Sequence, residues 1–412
     1  MMLFIMCAVL LSMVNVTVAQ DEEGVVDGAG VTEEAGESGG STVTLRFVVT
    51  VPQDTPDGET IYLCGDDAQL GNWDGAGFEL QPQGGNVYGG ELDFVRGAQV
   101  QFKATLGSWQ TVEKNEFGEE IENRWVIADK DKDVSVVIAG WANGQANQIE
   151  PTLTGDIRRH EHFHSMILNN DRTLLVYLPP GYEDNAERHY PVLYMHDGQN
   201  LFDASTSFAG VEWGVDEAAQ RLIEAGTIEP IIIVGIYNNA DRMREYSPGP
   251  ADQRGTAYTR FVVEEVIPYI GRTYRVDPGR DKTGTAGSSL GGLISLYLAH
   301  EYPGVFGRCG VVSPALGWQD RAFLTRIEQG DKAWLRDLRI WVDMGTAEGG
   351  TAPPGRETTL AVAHARDLAE LLSRSGLSLG EGYEYLEIEG GRHNEAAWAG
   401  RIDRILTYLY GR

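Results

Sequence analysis

The chain has 412 residues, a formal net charge of −28 and three cysteines. That length gives room for two or three domains with a substantial core, and 42% hydrophobic and 9% aromatic residues are ordinary for a globular protein. The acidic excess argues against nucleic acid or an anionic membrane surface as a partner; beyond that it describes a solvated surface and says little about fold.

Residues 3–14, LFIMCAVLLSMV, form a short apolar run followed by Thr17-Val18-Ala19, a small-residue pattern suited to cleavage. The run is too short to span a bilayer comfortably. Residues 1–19 therefore read as a secretory signal peptide, with a secreted or periplasmic location. No Lys or Arg precedes the run, and Phe4-Ile5-Met6 are not the small residues that precede a lipidated cysteine at Cys7. Cys64 and Cys309 then remain. They fall in different expected domains, with neither a disulfide framework nor metal-ligand spacing, and each reads as a small buried apolar residue.

Residues 20–40 hold seven Asp/Glu, no Lys or Arg and many Gly, and read as a disordered acidic linker. The character changes over 41–140. VTLRFVVTV, ETIYLC, VYGGELDF, AQVQFKAT, NRWVIA and VSVVIAG are short, β-branched and aromatic, and Pro, Gly, Asp and Asn separate them. This pattern predicts a small all-β sandwich, with 141–156 as a linker behind it. Tyr62-Leu63-Cys64-Gly65, Leu70-Gly71-Asn72-Trp73, FKATLGSW and Asn123-Arg124 resemble a starch-binding type carbohydrate module. The resemblance implies polysaccharide binding, with Trp73, Tyr88 and Trp109 as stacking platforms and Lys103 as a hydroxyl contact. The stretch Glu116–Glu120 departs from such modules, which carry another Trp just before the Asn-Arg.

From 157 to 412, strands alternate with helices. Strand candidates are TLLVYLP (173–179), PVLYMHD (191–197), PIIIVGIYN (230–238), KTGTA (282–286), CGVVSP (309–314), RIWVDMG (339–345) and EYLEIEG (384–390). Helices are expected to begin near Gly214, Thr256, Leu290, Asp320, Glu357 and Glu395. Several strands are continuous apolar runs, as suits a parallel sheet buried on both faces, and the alternation implies an open α/β fold. Arg159-His160-Glu161-His162-Phe163-His164 invites a zinc reading. It lacks H-E-x-x-H spacing, and a polar linker face is the reading adopted.

The pattern G-x-S-x-G occurs three times, around Ser38, Ser289 and Ser378, so the pattern alone has little specificity. A nucleophile elbow needs a strand before the Ser and a helix after it. Ser38 lies in the acidic linker, and Ser378 follows a helix. Ser289 alone follows a strand candidate and opens a helix, LGGLISLYLAHEY. A Ser hydroxyl needs a base and a group that orients the base, and in open α/β sheets these gather beyond the carboxyl ends of the strands. His393 follows strand 384–390. Glu348, on the loop past strand 339–345, is the favoured acid, and Asp343 inside that strand is the alternative. The Leu290 amide at the helix start is one candidate oxyanion donor, and the amide of Gln199 or Gly198, after strand 191–197, is the second.

VYLPPGYE, YPVLYMHDGQNLFD, EWGVDEAAQRLIEAG, EPIIIVGIYNN, DRMREYSP, AGSSLGGLISLYLA, GTAE and GGRHNEAAW together resemble the Putative esterase family of α/β hydrolases, which includes esterase D and the enterochelin, feruloyl and acetyl xylan esterases. The resemblance implies an α/β hydrolase fold, a mostly parallel sheet flanked by helices, behind the small sandwich. It implies Ser289 as nucleophile, Glu348 as acid and His393 as base, with no metal and no organic cofactor. It also implies Arg242, Glu245 and Tyr246 as substrate contacts in a loop bordering the site. The expected protein is a secreted serine esterase acting on a carbohydrate or siderophore ester. A glycan-binding protein with a vestigial hydrolase domain and an extracellular acyltransferase are the alternatives.

Overall fold

The computed structural model describes residues 41–412 apart from 57, 116–117, 119–120, 122, 143–149, 208–209, 240, 250–253 and 350–356. The expected signal peptide, the acidic linker and Ser38 lie outside the described residues, as does most of Glu116–Glu120.

Period-two burial builds the N-terminal part. Along β1 (Thr42–Thr50), Val43, Leu45, Phe47 and Val49 are buried while the residues between them turn outward. β2 (Tyr62–Gly65), β3 (Phe78–Glu79), β4 (Gln81–Gly84), β5 (Val87–Val95), β6 (Gln99–Thr105), β7 (Glu113–Lys114), β8 (Arg124–Ile127), β9 (Lys132–Val137) and β10 (Gly140–Trp141) follow. They form two four-stranded sheets, β4-β5-β1-β9 and β3-β2-β6-β8, with a β10-β7 pair beside them. One apolar core joins the sheets, and Phe47 meets Phe102 edge-on across it at 5.2 Å. The expected sandwich is therefore present.

The second part is an eight-stranded mixed sheet. Its strands are β11 (Asp156–Ser165), β12 (Asn170–Leu178), β13 (Val192–His196), β14 (Ile232–Ile236), β15 (Thr283–Ser288), β16 (Arg308–Val312), β17 (Arg339–Gly345) and β18 (Tyr383–Ile388). The order is β11-β12-β14-β13-β15-β16-β17-β18. β12 runs antiparallel to β14, and every pairing from β14 to β18 is parallel. The helices are α1 (Val215–Glu224), α2 (Arg242–Glu245), α3 (Arg254–Arg260), α4 (Ile267–Thr273), α5 (Leu290–Glu301), α6 (Trp318–Gln329), α7 (Leu360–Arg374), α8 (Glu395–Ala399) and α9 (Ile402–Tyr410). α1 and α9 pack in one core cluster, while α3, α5, α6 and α7 contribute to another. Both faces of the sheet are thus covered, as the continuous apolar runs of β13 and β14 require.

Several elements differ from the sequence reading, among them the helices α2 and α4, which were not expected. The His-rich stretch is not a linker face but the outermost strand, β11, paired antiparallel with β12. A polar sequence is tolerated there because an antiparallel edge strand can face water. Its register shifts between His160 and Phe163, so the histidines do not share one face. His160 is held by the hydroxyls of Tyr269 and Tyr274 at 2.9 and 2.6 Å, and His164 by Asp171 at 2.7 Å. The last helix, α9, was not anticipated as a separate element either. It buries Ile402, Ile405, Leu406 and Leu409, a helical spacing that was there to be read. β15, sequence TGTAGS, is a poor strand former made fully buried by its place between β13 and β16. Among the described residues, no helix is long and apolar enough to cross a membrane.

Cys64 and Cys309 are both free and fully buried, one in each part of the fold. Burial pushes the Cys64 thiol up to about 12 and raises that of Cys309 as well. With so little thiolate and no access, neither should react with a disulfide reagent at pH 8 until the fold is lost in guanidinium. Rapid colour development from either thiol in the native protein would contradict this burial.

Candidate active site

The chain turns from β15 into α5 at Ser289, with φ 57° and ψ −124°. A non-glycine residue rarely adopts this conformation, and it persists only where the surroundings over-determine it. Here they do. The Ser289 N–H donates to Val312 O at 3.0 Å, and its carbonyl accepts from Ala315 and Leu293 at 3.0 and 3.1 Å. The flanking glycines permit the tightness. A Cβ on Gly287 would lie 2.8 Å from the Gly291 carbonyl carbon, and one on Gly291 would lie 3.3 Å from Asp197 Oδ2 and 3.5 Å from His196 Cβ. The helix start is thereby pressed against the loop that leaves β13.

That loop turns at Asp197, in the left-handed region (φ 57°, ψ 47°), and continues as a single 3₁₀ turn, Gly198–Asn200. Asp197 is buried and fully engaged. Oδ1 and Oδ2 accept from Arg242 Nε and Nη2 at 2.7 and 2.8 Å, and Asn238 Nδ2 donates to Oδ1 at 2.6 Å. Burial alone would raise its carboxyl, but Arg242 and Asn238 outweigh that and hold it below the usual range. Beneath it, His196 is buried against the hydroxyls of Tyr258 (2.9 Å) and Thr285 (3.2 Å). Burial pushes this imidazole down to about 4, so it is neutral at pH 7. Leu290 stands first in α5, where backbone N–H groups have no partner within the helix. The two candidate donor segments, Gly198–Gln199 and Leu290, therefore flank one place.

The loop 242–246 corrects the sequence reading in part. Glu245 and Tyr246 are completely buried, so neither is a substrate contact. Glu245 accepts both of its short hydrogen bonds, 2.6 and 2.5 Å, from the buried Arg172, and Tyr246 packs against both His196 and Tyr258. Of the three expected contacts, Arg242 alone keeps an exposed portion, 26% of its side chain.

Glu348 and His393 come together from the loops after β17 and β18. His393 Nδ1 is 2.8 Å from Glu348 Oε2, and the imidazole stands edge-on to Trp398. The Glu348 carboxylate is buried, and Oε1 accepts from Ser313 Oγ (2.7 Å), Gly345 N–H (2.9 Å) and Arg401 Nη2 (3.2 Å). Burial pushes this carboxyl up, but His393, Ser313 and Arg401 together hold it below its ordinary range. Asp343 does not face His393. It spends Oδ1 on Arg401 (2.7 Å) and Ser313 N–H (3.1 Å), and Oδ2 on Trp341 Nε1 (2.6 Å). Among the described residues, Ser289 Oγ makes no hydrogen bond to His393. Such bonds often tighten only with substrate present. With Nδ1 turned to the carboxylate, Nε2 is the nitrogen left to take a proton.

Arg401 and Ser313 were missing from the sequence reading. Arg401 is 2% exposed and joins Asp343, Ser313 and Glu348. Ser378 lies in the turn between α7 and β18, apart from these loops.

In the sandwich, Trp73 and Trp109 lie side by side, ring centroids 6.0 Å apart, and Trp109 Nε1 donates to Trp73 O at 2.9 Å. Tyr88 is on β5 in the other sheet and packs on the core. Lys103 is 3% exposed, which corrects its reading as a surface contact. Trp125 on β8 is exposed and was not anticipated.

Removing one partner of a buried ion pair strands the other charge, at a typical cost of about 3–5 kcal/mol. Arg401→Met is therefore expected to lower stability by about that much in urea unfolding. Adding Asp343→Asn should recover part of the loss, because one stranded charge disappears. An unchanged unfolding midpoint in Arg401→Met would show that the network contributes nothing.

Residues 165–409 match the family described as Putative esterase, and residues 42–137 match the family described as Starch binding domain. The uncharacterized protein YjcH of Bacillus subtilis is 29% identical over 193 residues, 46% of this chain and 73% of that protein. An iron(III) enterobactin esterase of Dickeya dadantii is 28% identical over 255 residues, 59% of this chain and 53% of that one. The crystal structure of the enterobactin esterase of Shigella flexneri with enterobactin aligns at a TM-score of 0.51 and 16% identity, over 88% of this chain and 92% of that one; at that identity the likeness is one of fold. The first match spans more than half of the chain, and the chain belongs to that family: it is a carboxylic ester hydrolase of the α/β hydrolase type, with a starch-binding domain ahead of the hydrolase sheet.

Proposed function

We propose that the chain is a secreted serine esterase that cleaves an ester carried on a carbohydrate, through an acyl-enzyme on Ser289. The observation that carries the reading is the strained elbow at Ser289 pressed against the Asp197 loop. The 2.8 Å bond between His393 and Glu348 supports it. Ser289 Oγ attacks the ester carbonyl while His393 Nε2 takes its proton. The negative charge on the carbonyl oxygen is met by the Leu290 amide and that of Gln199 or Gly198. His393 returns the proton to the departing alcohol, and water then releases the acyl group by the same steps in reverse. Glu348, kept ionised by its surroundings, balances the imidazolium while it exists.

Secretion rests on the apolar run at 3–14 and the small residues before Gln20. The domain division proposed is 41–140 for the sandwich and 157–412 for the hydrolase. Carbohydrate as the carrier rests on the starch-binding match and the paired Trp73 and Trp109 rings, since sugar C–H faces stack on aromatic rings. A second reading, a siderophore ester, is favoured by the enterobactin esterase relative.

Turnover of p-nitrophenyl acetate, acylated oligosaccharides and triscatecholate esters distinguishes these readings, because the preferred ester names the carrier. Ser289→Ala is expected to lose at least about 10⁴-fold in kcat/KM and to stop reacting with a fluorophosphonate. Retention of activity would overturn the nucleophile. Glucan binding without turnover of any ester would favour a binding protein with an idle hydrolase fold. Trp73→Ala should weaken retention on insoluble starch while leaving turnover of the small acetate unchanged. Equal retention by the variant would remove the Trp pair as a platform.

A further inference from the structure

Three carboxylates stand together where the segment before the hydrolase sheet meets the start of α1. Glu212 precedes the helix, and Asp216 and Glu217 lie in its first turn. One carboxylate oxygen from each lies within 4.8 Å of the other two. The segment 152–154 occupies one side of the group. Thr152 Oγ1 donates to Glu212 Oε1, Thr154 N–H to Asp216 Oδ2 at 2.6 Å, and Thr154 Oγ1 to Glu217 Oε1 at 2.8 Å. Each acid thus has one oxygen satisfied. The other three oxygens, Glu212 Oε2, Asp216 Oδ1 and Glu217 Oε2, are buried and accept no hydrogen bond. Asp216 itself is 0% exposed. Among the described residues no Lys, Arg or His pairs with any of the three.

Buried carboxylate oxygens without partners are costly, and proteins rarely leave one, let alone three in one cluster. The dipole of α1 favours negative charge in its first turn, but it supplies no bond to these oxygens. We propose that Glu212, Asp216 and Glu217 bind a calcium ion. The donors are all hard oxygens, with no His or Cys among them, which excludes the preferences of zinc and copper. Two oxygens on opposite sides of one calcium ion, each at about 2.3–2.6 Å, are about 4.6–5.2 Å apart. Three oxygens within 4.8 Å of one another fit inside that span, and a set of three carboxylates from the chain suits calcium, whereas magnesium usually keeps several waters and is held by one or two carboxylates. Burial, and then the neighbouring Glu217, also raise the Asp216 carboxyl, so a proton is the competing occupant.

The ion would brace two pieces of chain. One is the segment at 152–154, which also reaches Asp203 through Thr152 N–H at 3.4 Å. The other is the stretch from Leu201 to Val215, which returns to the Gly198–Asn200 turn through Trp213 N–H to Asn200 O (2.9 Å) and Thr206 Oγ1 to Gln199 O (2.8 Å).

The test is calorimetric titration of the chelator-treated full chain with CaCl2, alongside its Tm with and without millimolar CaCl2. One ion per chain is expected, with a rise in Tm of about 5 °C at saturating calcium. Glu217→Gln should weaken binding by at least about tenfold and abolish the rise. If that variant does not fold, the half-buried Glu212→Gln reads the same loss. No binding heat and no Tm change in the wild type would overturn the proposal and leave a proton-sharing carboxyl group in its place. So would calcium binding undiminished in both variants, since the ion would then sit elsewhere. MgCl2 giving an equal or larger Tm rise would overturn the assignment to calcium.

Discussion

The site hangs on one guanidinium. Arg401, on the turn into α9, lies between Asp343 at the end of β17 and Glu348 on the loop beyond it. Two carboxylates this close and this buried would repel each other strongly without a cation, because the surrounding dielectric screens little. With Arg401 in place, Asp343 becomes a fixed support and Glu348 keeps one oxygen for His393. The same contact ties the last helix to the sheet. Ser313 completes the arrangement, donating to Glu348 and accepting from Arg401 and Trp398.

The backbone at Ser289 draws on the same region from the other side. Its unfavourable φ and ψ are held by Val312, the residue before Ser313, and by Ala315 just after it. The β16 loop therefore fixes the serine through its main chain and the acid through a side chain. Strain at the serine and charge at the acid are balanced by neighbouring atoms of one loop, so displacing that loop would disturb both groups together. The Asp197 turn makes the third side. Arg242 clamps it, and the neutral His196 and the Tyr246 and Tyr258 rings pack below.

Much of this was legible in the chain because the α/β pattern places chemistry at strand ends. Apolar runs marked β13, β14 and β17, and the loops after β17 and β18 led to Glu348 and His393. β15 was legible only through its context, since Thr-Gly-Thr-Ala-Gly-Ser has weak strand propensity and owes its form to its neighbours. β11 was misread because an edge strand need not alternate apolar residues. Arg401 could not be found from spacing, as it reaches Glu348 across 53 residues and stands alone in a Gly-Arg-Ile stretch that carries no motif. Glu245 and Tyr246 were read as substrate contacts from the family resemblance, yet a buried arginine, Arg172, holds Glu245 inside.

Arg172 points to a wider rule in this acidic chain. Five of its buried acids stand against arginine: Glu113 with Arg124, Asp197 with Arg242, Glu245 with Arg172, and Asp343 and Glu348 together about Arg401. Each match satisfies the charge and supplies directed N–H donors at once, as the guanidinium fork does for carboxylates. Glu212, Asp216 and Glu217 are held differently. They receive neutral donors from Thr152 and Thr154 and, among the described residues, no cation. Where the fold crowds two buried carboxylates together, at Asp343 and Glu348, it sets a guanidinium between them; a crowded group of three without one draws its positive charge from outside the polypeptide.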